Sequence, residues 1–434
     1  MALAQGYTHG LVDLSTGQIS REIFVNDDIY QQELERVFTR AWLFVGHASQ
    51  IPKPGDYFVS CMGEESVILC RDRDEHIHVF LNTCRHRGMK VCRYDEGNTP
   101  VFTCPYHGWS YATDGKLVGV PGYKEAYFEE LDRSQWGLVE ARTDSYKGLV
   151  FATWDSQAPS LYDYLGDMGY YLDLLADRRE GGSEIIGSRH RWIFKCNWKI
   201  PGDNFAGDGA HIPITHGSTL VTGGIRRRGI NDDPYSVSAA PGNGHGQILA
   251  WTGQENAPTF SGGAFKGVEE YFQTIRPETA QRLGPQRGRQ GNSGVATVFP
   301  NCSHLGGVMV RTWHPRGPFA TEVWSYCIVD KKAPEEAREA LRRRMMMTFS
   351  SGGIFEQDDG DNFDQVTKSG LSLTAKKYPV NLQMGIGHDK RSEAAPGLLS
   401  FTVGETNQRA WYDRWAEMLE APNWSQIRID PRTR

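Results

Sequence analysis

The chain has 434 residues, 39% hydrophobic and 23% charged, which is ordinary for a globular protein and long enough for two or three domains around a large core. A formal charge of −6 with no offsetting basic stripe argues against a nucleic-acid binder, because counterion release needs a net basic face. Met1-Ala-Leu-Ala-Gln-Gly has neither a charged n-region nor an apolar run, and no segment reaches the roughly 18 apolar residues of a membrane span, so a cytoplasmic setting is expected.

The first predicted element is a helix capped by Asp27 or Asp28, with Tyr30, Leu34, Val37, Phe38 and Trp42 recurring at three- and four-residue steps. Short strand-like runs follow at Tyr57-Phe58-Val59, Val67-Ile68-Leu69 and His78-Val79-Phe80-Leu81, with a further one from Gly148 to Trp154. The loops after such strands carry the most telling residues: Cys84-Arg85-His86 and, after seventeen intervening residues, Cys104-Pro105-Tyr106-His107. Two thiolates suit one iron of a [2Fe–2S] cluster and two imidazoles the other, which is the ligand set of a Rieske centre carrying single electrons. A structural zinc site is the competing reading, but zinc fingers usually pair Cys with Cys and His with His, whereas each clip here is mixed.

Gly88 follows the first clip and Gly108-Trp109 the second, so both sit in tight loops that can turn backbone N–H groups toward cluster sulfurs. Cys61, Cys70, Cys92, Cys196, Cys302 and Cys327 lack clip spacing and read as buried free thiols. The interval from about Phe38 to Asp155 therefore reads as a small all-β module carrying the cluster. Its bounds are taken as 38–157, with 1–37 and 158–434 forming the rest.

Beyond it the texture changes. Leu161 to Leu175 has helical spacing, Arg191 to Trp198 alternates like a strand, and Val308–Trp313 with Glu322–Val329 reads as a hairpin around Pro315-Arg-Gly-Pro318. Pro334 begins another helix at its first turn. Strands and helices mix without regular alternation, which points to an α+β class. Gly242-Asn-Gly-His-Gly misses the G-x-G-x-x-G register, so no dinucleotide site is expected on this chain.

Asn204-Phe-Ala-Gly-Asp208-Gly-Ala-His211-Ile-Pro-Ile-Thr-His216 offers two further ligands. A helix over residues 203–212 would align Asn204, Asp208 and His211, and Pro213 would break it so that His216 turns to the same point. Two imidazoles leave room for one carboxylate, as in non-haem Fe(II) oxygenases. The acid-rich run after Gly352-Gly353 supplies candidates in Glu356, Asp358, Asp359, Asp361 and Asp364, among which spacing does not choose.

Cys-Arg-His-Arg-Gly, Cys-Pro-Tyr-His-Gly-Trp, Asn-Phe-x-Gly-Asp-x2-His-x4-His and Phe-Glu-Gln-Asp-Asp-Gly-Asp-Asn, with Arg311-Thr-Trp-His-Pro-Arg-Gly-Pro, together resemble the large (α) subunits of Rieske non-haem iron aromatic-ring-hydroxylating dioxygenases. The likeness is strongest to the biphenyl, toluene and naphthalene branch and spans most of the chain. It implies a Rieske domain inserted into a START-like, helix-grip catalytic domain with an antiparallel sheet. It also implies Asp359 as the iron carboxylate beside His211 and His216. Asp208 becomes a bridging acid that hydrogen-bonds His211 and, in a neighbouring subunit, His107; with Asn204 it makes up the catalytic residues. Phe205, Phe349 and Phe355, with Val298, Ser303, His304 and Leu305, are implied as the substrate pocket.

The same resemblance implies trimers, α3 or α3β3 with a small β subunit, fed from NADH by a separate reductase and a ferredoxin. The implied activity is dihydroxylation of an arene by O2 to a cis-dihydrodiol. Monooxygenation or demethylation at the same iron, and a non-catalytic Rieske electron carrier, are the alternatives. Arg226-Arg227-Arg228 raises a carboxylated substrate as a further option, against a solvated loop, and Arg342-Arg343-Arg344 reads as helix surface.

Overall fold

Antiparallel pairing dominates the structure, a computed structural model that describes residues 7–217, 236–250, 266–290, 294–393 and 395–433. Contacts divide the chain into two compact units, Phe38–Ala158 and the segments on either side of it. Arg226-Arg227-Arg228 lies outside the described residues. Among the described residues no helix is long and apolar enough to cross a membrane.

In the Phe38–Ala158 unit a seven-stranded sheet runs Leu43–His47, Leu149–Thr153, Glu140–Tyr146, Ile77–Leu81, Glu65–Arg71, Asp56–Met62, Glu96–Asn98. A three-stranded sheet orders Leu117–Gly119, Ser110–Ala112 and Val101–Thr103. Val67, Ile68, Leu69 and Cys70 are all fully buried, so this strand is covered on both faces and reads as a continuous apolar run. Tyr57, Ile68, Phe80, Phe102, Trp109 and Tyr111 form one core that includes Cys84 and Cys104.

The first α-helix of the other unit spans Asp27–Glu33. Its cap is Asn26 rather than Asp27 or Asp28: the Asn26 side chain accepts from the backbone N–H of Asp28 and Ile29 at 2.8 and 3.1 Å. A π turn over Leu34–Phe38 continues it and breaks the expected spacing toward Trp42. The helix expected over Leu161–Leu175 is two, Leu161–Leu165 and Met168–Ala176, because Gly166 adopts φ +49°. The strand expected over Arg191–Trp198 is Ser183–Phe194, and Trp198 already opens the Lys199–Gly207 helix. Pro334 takes the cap position of Glu335–Phe349, in extended conformation, rather than a place in its first turn.

Among the described residues nine strands build this unit's larger sheet: Ser183–Phe194, Thr321–Asp330, Met309–Pro315, Cys302–Leu305, Val295–Val298, His245–Ala250, Ser236–Gly242, Ala395–Phe401, Lys390–Ser392. The expected hairpin is present as Met309–Pro315 against Thr321–Asp330. Gly242-Asn-Gly-His is a hairpin turn with Asn243 and Gly244 at φ 53° and 80°, which accounts for its glycines without a nucleotide.

By strand alternation Thr297, Ser303, Leu305, Met309, Arg311, Trp313, Val323 and Cys327 share one face of the sheet. The Lys199–Gly207 helix lies on that face, where Thr297 Oγ1 donates to Gly202 O at 2.9 Å. Its approach is close enough that a Cβ on Gly246 would stand 2.3 Å from Ala206 O. At the helix end the fully buried Asn407 amide donates to Ala206 O at 2.9 Å, satisfying an otherwise orphaned carbonyl. Arg342 and Arg343 pair with Glu339 on the surface of Glu335–Phe349, but Arg344 is buried, contrary to the surface expectation for all three.

Candidate functional site

The two Cys/His clips are built alike. Cys84 N donates to Met89 O and Gly88 N to Cys84 O; Cys104 N donates to Trp109 O and Gly108 N to Cys104 O, all at 2.8–3.0 Å. Gly88 and Gly108, each four residues after its Cys, take φ of 74° and 72°, a conformation favouring glycine. Both Cys are buried, and the His86 and His107 ring centroids stand 4.6 Å apart. His86 stacks on Trp109 at 5.0 Å and 8°, and its buried Nδ1 has no hydrogen-bond partner. A buried ring nitrogen without a partner is costly in a protein alone, and the lone pair suits an iron of the cluster.

The second centre forms where two elements end and a third begins. The Lys199–Gly207 helix stops at Gly207, φ +142°, so the helix expected over 203–212 ends before Asp208. Pro213 then sits inside a new short helix, Ile212–Thr215, flanked by His211 and His216. The chain break that joins the two imidazoles thus comes at Gly207-Asp208 rather than at Pro213. Gly352-Gly353 separates Glu335–Phe349 from Glu356–Leu371, whose first turn carries Asp359.

His211, His216 and Asp359 each bring one donor atom within 4.8 Å of the others. Asp359 Oδ1 is 3.6 Å from His211 Nε2 and 3.3 Å from His216 Nε2. That oxygen is buried and has no hydrogen-bond donor. An interior carboxylate oxygen turned only toward imidazole nitrogens fits a cation between them, since burial without one carries a desolvation cost. His211 Nδ1 lies 2.6 Å from the backbone carbonyl of Asp208, and its carboxylate is farther, at 3.5 Å. The expected carboxylate bond to His211 is therefore made by the main chain. Burial works to raise the Asp208 carboxyl, but the His211 ring and backbone N–H groups outweigh it and hold the carboxyl below its ordinary value. Asn204 Nδ2 stands 3.4 Å from His211 Nδ1.

Phe205, Phe349 and Phe355 form a line of rings toward the centre. Centroids are 6.0 Å apart for Phe205 and Phe349, 5.4 Å for Phe349 and Phe355, and 4.9 Å for Phe355 and His216. Leu305 and Phe349 pack against the buried cluster that contains Phe205, while the Ser303 hydroxyl is taken by Trp313 Nε1 and Thr297 Oγ1, each at 2.7 Å. Val298 and His304 alternate onto the opposite face of the sheet, away from Phe205, which corrects their expected place in the pocket.

Two family models match the chain: the Rieske [2Fe–2S] domain over residues 41–138 and the ring hydroxylating alpha subunit catalytic domain over 162–421. The biphenyl 2,3-dioxygenase subunit alpha of Rhodococcus jostii is 41% identical, covering 96% of this chain and 92% of that one. The chain belongs to the ring-hydroxylating dioxygenase alpha subunits. The benzene 1,2-dioxygenase subunit alpha of Pseudomonas putida is 40% identical over 96% and 94% of the two chains. A naphthalene 1,2-dioxygenase structure with indole in its active site superposes with a TM-score of 0.89 at 32% identity, over 96% and 95%. As a member, this alpha subunit is an oxidoreductase with a Rieske [2Fe–2S] cluster and a mononuclear iron.

Sequence reasoning missed several supporting groups of this alpha subunit. Asp358 Oδ2 faces His216 Nδ1 at 3.3 Å, Tyr111 OH stands 3.3 Å from Cys84 Sγ, and Arg311 holds Glu356 with 3.0 Å contacts to both oxygens. Adjacency to Asp359 was a signal for Asp358. Tyr111 and Arg311 are far in sequence from what they touch and left none.

Proposed function

We propose that this alpha subunit is the terminal oxygenase component of a multicomponent system and adds both atoms of O2 to a small apolar arene, giving a cis-dihydrodiol. The observation that carries this reading is the convergence of His211, His216 and the partnerless Asp359 oxygen beside the Phe205–Phe349–Phe355 line. In this reading Cys84 and Cys104 hold one cluster iron and His86 and His107 the other, while His211, His216 and Asp359 hold the mononuclear iron. Bound there, iron supplies O2 activation with electrons delivered singly through the cluster.

The chain's own residues do the rest. Backbone carbonyl and carboxylate contacts fix the two imidazoles with Nε2 free, which orients the ligands and raises their basicity. Phe205, Phe349, Phe355 and Leu305 exclude water and hold an arene by its faces. Relatives named for biphenyl and benzene support a hydrocarbon substrate class. Electrons come from NADH through a cytoplasmic reductase and ferredoxin. A trimer, α3 or α3β3 with a β subunit, lets His107 of one copy meet Asp208 of the next.

The test supplies ferredoxin, reductase, NADH and labelled O2 to the oxygenase with a panel of arenes. Dihydroxylation gives two labelled oxygens per product; one would establish monooxygenation instead. Asp359→Ala should lose turnover while its cluster still reduces. An electron carrier without catalysis would be indifferent to that substitution.

A further inference from the structure

Five acids follow Gly353 within eleven residues, yet only Asp359 faces Nε2 of both imidazoles. The others are engaged. Asp358 faces His216 Nδ1, Asp361 accepts from Gln365, and Asp364 pairs with Lys368. Glu356 is the one placed to compete: it stands three residues before Asp359, one helical turn away on the same side, and is equally buried.

What holds Glu356 is Arg311. Arg311 Nη1 is 3.0 Å from both Glu356 oxygens, and its Nη2 donates to the Phe349 carbonyl at 2.8 Å. The guanidinium has no exposure and lies 5.0–5.7 Å from the ring centroids of Trp192, Phe205, Trp313 and Phe349. A cation so boxed has little freedom to release its partner.

We propose that Arg311 is a positioning residue that keeps the iron's coordination sphere open: by holding Glu356 it prevents a second carboxylate from joining His211, His216 and Asp359. A two-His, one-carboxylate site is useful because it leaves positions free, and a glutamate entering through both oxygens, with Asp359 also held through both, would fill them. The proposal rests on the ligand assignment made under the proposed function.

Nitric oxide tests it, because a ferrous site with a free position forms a high-spin nitrosyl with a distinct EPR signal. The reduced oxygenase would be compared as wild type, Arg311→Met, Arg311→Met/Glu356→Leu and His211→Ala. Arg311→Met should keep its iron yet lose roughly tenfold in nitrosyl signal per iron, as a site about nine-tenths closed requires. Adding Glu356→Leu should restore the signal, because the apolar pair removes the intruding carboxylate. An unchanged signal in Arg311→Met, or equal loss in single and double variants, overturns the role of Glu356.

Should Arg311→Met not fold, Arg311→Gln replaces it, with Glu356→Gln as the rescuing change and the same two overturning results. His211→Ala separates the two levels. A nitrosyl signal that survives it sinks the ligand assignment and this proposal together, whereas its loss there with an intact signal in Arg311→Met sinks only the proposal.

Discussion

Asp358 presents Oδ2 to His216 Nδ1 at 3.3 Å, while on the other side of the same ring Nε2 faces Asp359. Neighbouring acids on one helical turn thus grip opposite sides of one imidazole. A carboxylate at Nδ1 keeps the proton there and leaves the Nε2 lone pair for a metal. Asp358→Ala should therefore weaken ferrous iron binding by roughly 10–100-fold, the usual cost of losing such a partner. Iron titration against cluster content measures it, and an unchanged affinity would remove Asp358 from the site.

Tyr111 supplies the equivalent support at the cluster clips. Its hydroxyl accepts from Arg85 N at 3.0 Å and lies 3.3 Å from Cys84 Sγ, in a fully buried position. With its oxygen already accepting one hydrogen bond, its own O–H is free to point at the sulfur. Hydrogen bonds to cluster sulfurs stabilise the reduced, more negative state and raise the potential. One net bond of about 1 kcal/mol corresponds to roughly 40 mV for one electron, so Tyr111→Phe should lower the midpoint by about that much. Redox titration followed by EPR decides it; a rise in potential would contradict the assignment.

Much of this was legible in the sequence, for identifiable reasons. The clips are local, with Cys and His two or three residues apart, and so are His211 and His216. Asp359 is 143 residues beyond His216, and only a resemblance chose it from five acids. The pairings that explain the choice, Arg311 with Glu356 and Asp358 with His216, are tertiary and leave no spacing signal. The helix through Asp208 failed because Gly207 ends it, a backbone event that periodicity does not report. Val298 and His304 failed differently: strand register decides the face, and a one-residue difference reverses it.

His78 offers a pH test confined to the Phe38–Ala158 unit. Its ring lies between Glu140 at 2.6 Å and Asp72 at 2.9 Å. Burial works against its charged form, but the two carboxylates outweigh that and raise it above its ordinary value of 6.5. A raised folded value means the contribution is fully present below about pH 6.5 and is lost as pH rises through the folded value. His78→Gln should therefore destabilise the oxygenase more at pH 6 than at pH 9. Thermal loss of cluster absorbance at the two pH values reads the difference; equal losses would show that the ring is not charged in the fold.

The helix that carries Asn204 and Phe205 begins at a buried charge pair, and this sets a last expectation. Glu33 accepts from Lys199 Nζ at 2.5 Å, Trp198 Nε1 at 2.7 Å and Trp415 Nε1 at 2.8 Å, with all four residues fully buried. Such a pair contributes little net stability when formed, but removing one partner strands the other. Glu33→Ala leaves a cation and two indole N–H groups unsatisfied and should cost about 3–5 kcal/mol. Lys199→Met leaves the carboxylate with two donors and should cost less. Combining Lys199→Met with Glu33→Ala should cost less than the sum of the single changes, because no buried charge remains unpaired. Urea unfolding of the four chains measures the cycle. Strict additivity would mean that the charges do not feel each other, and that the helix is anchored by its tryptophans alone.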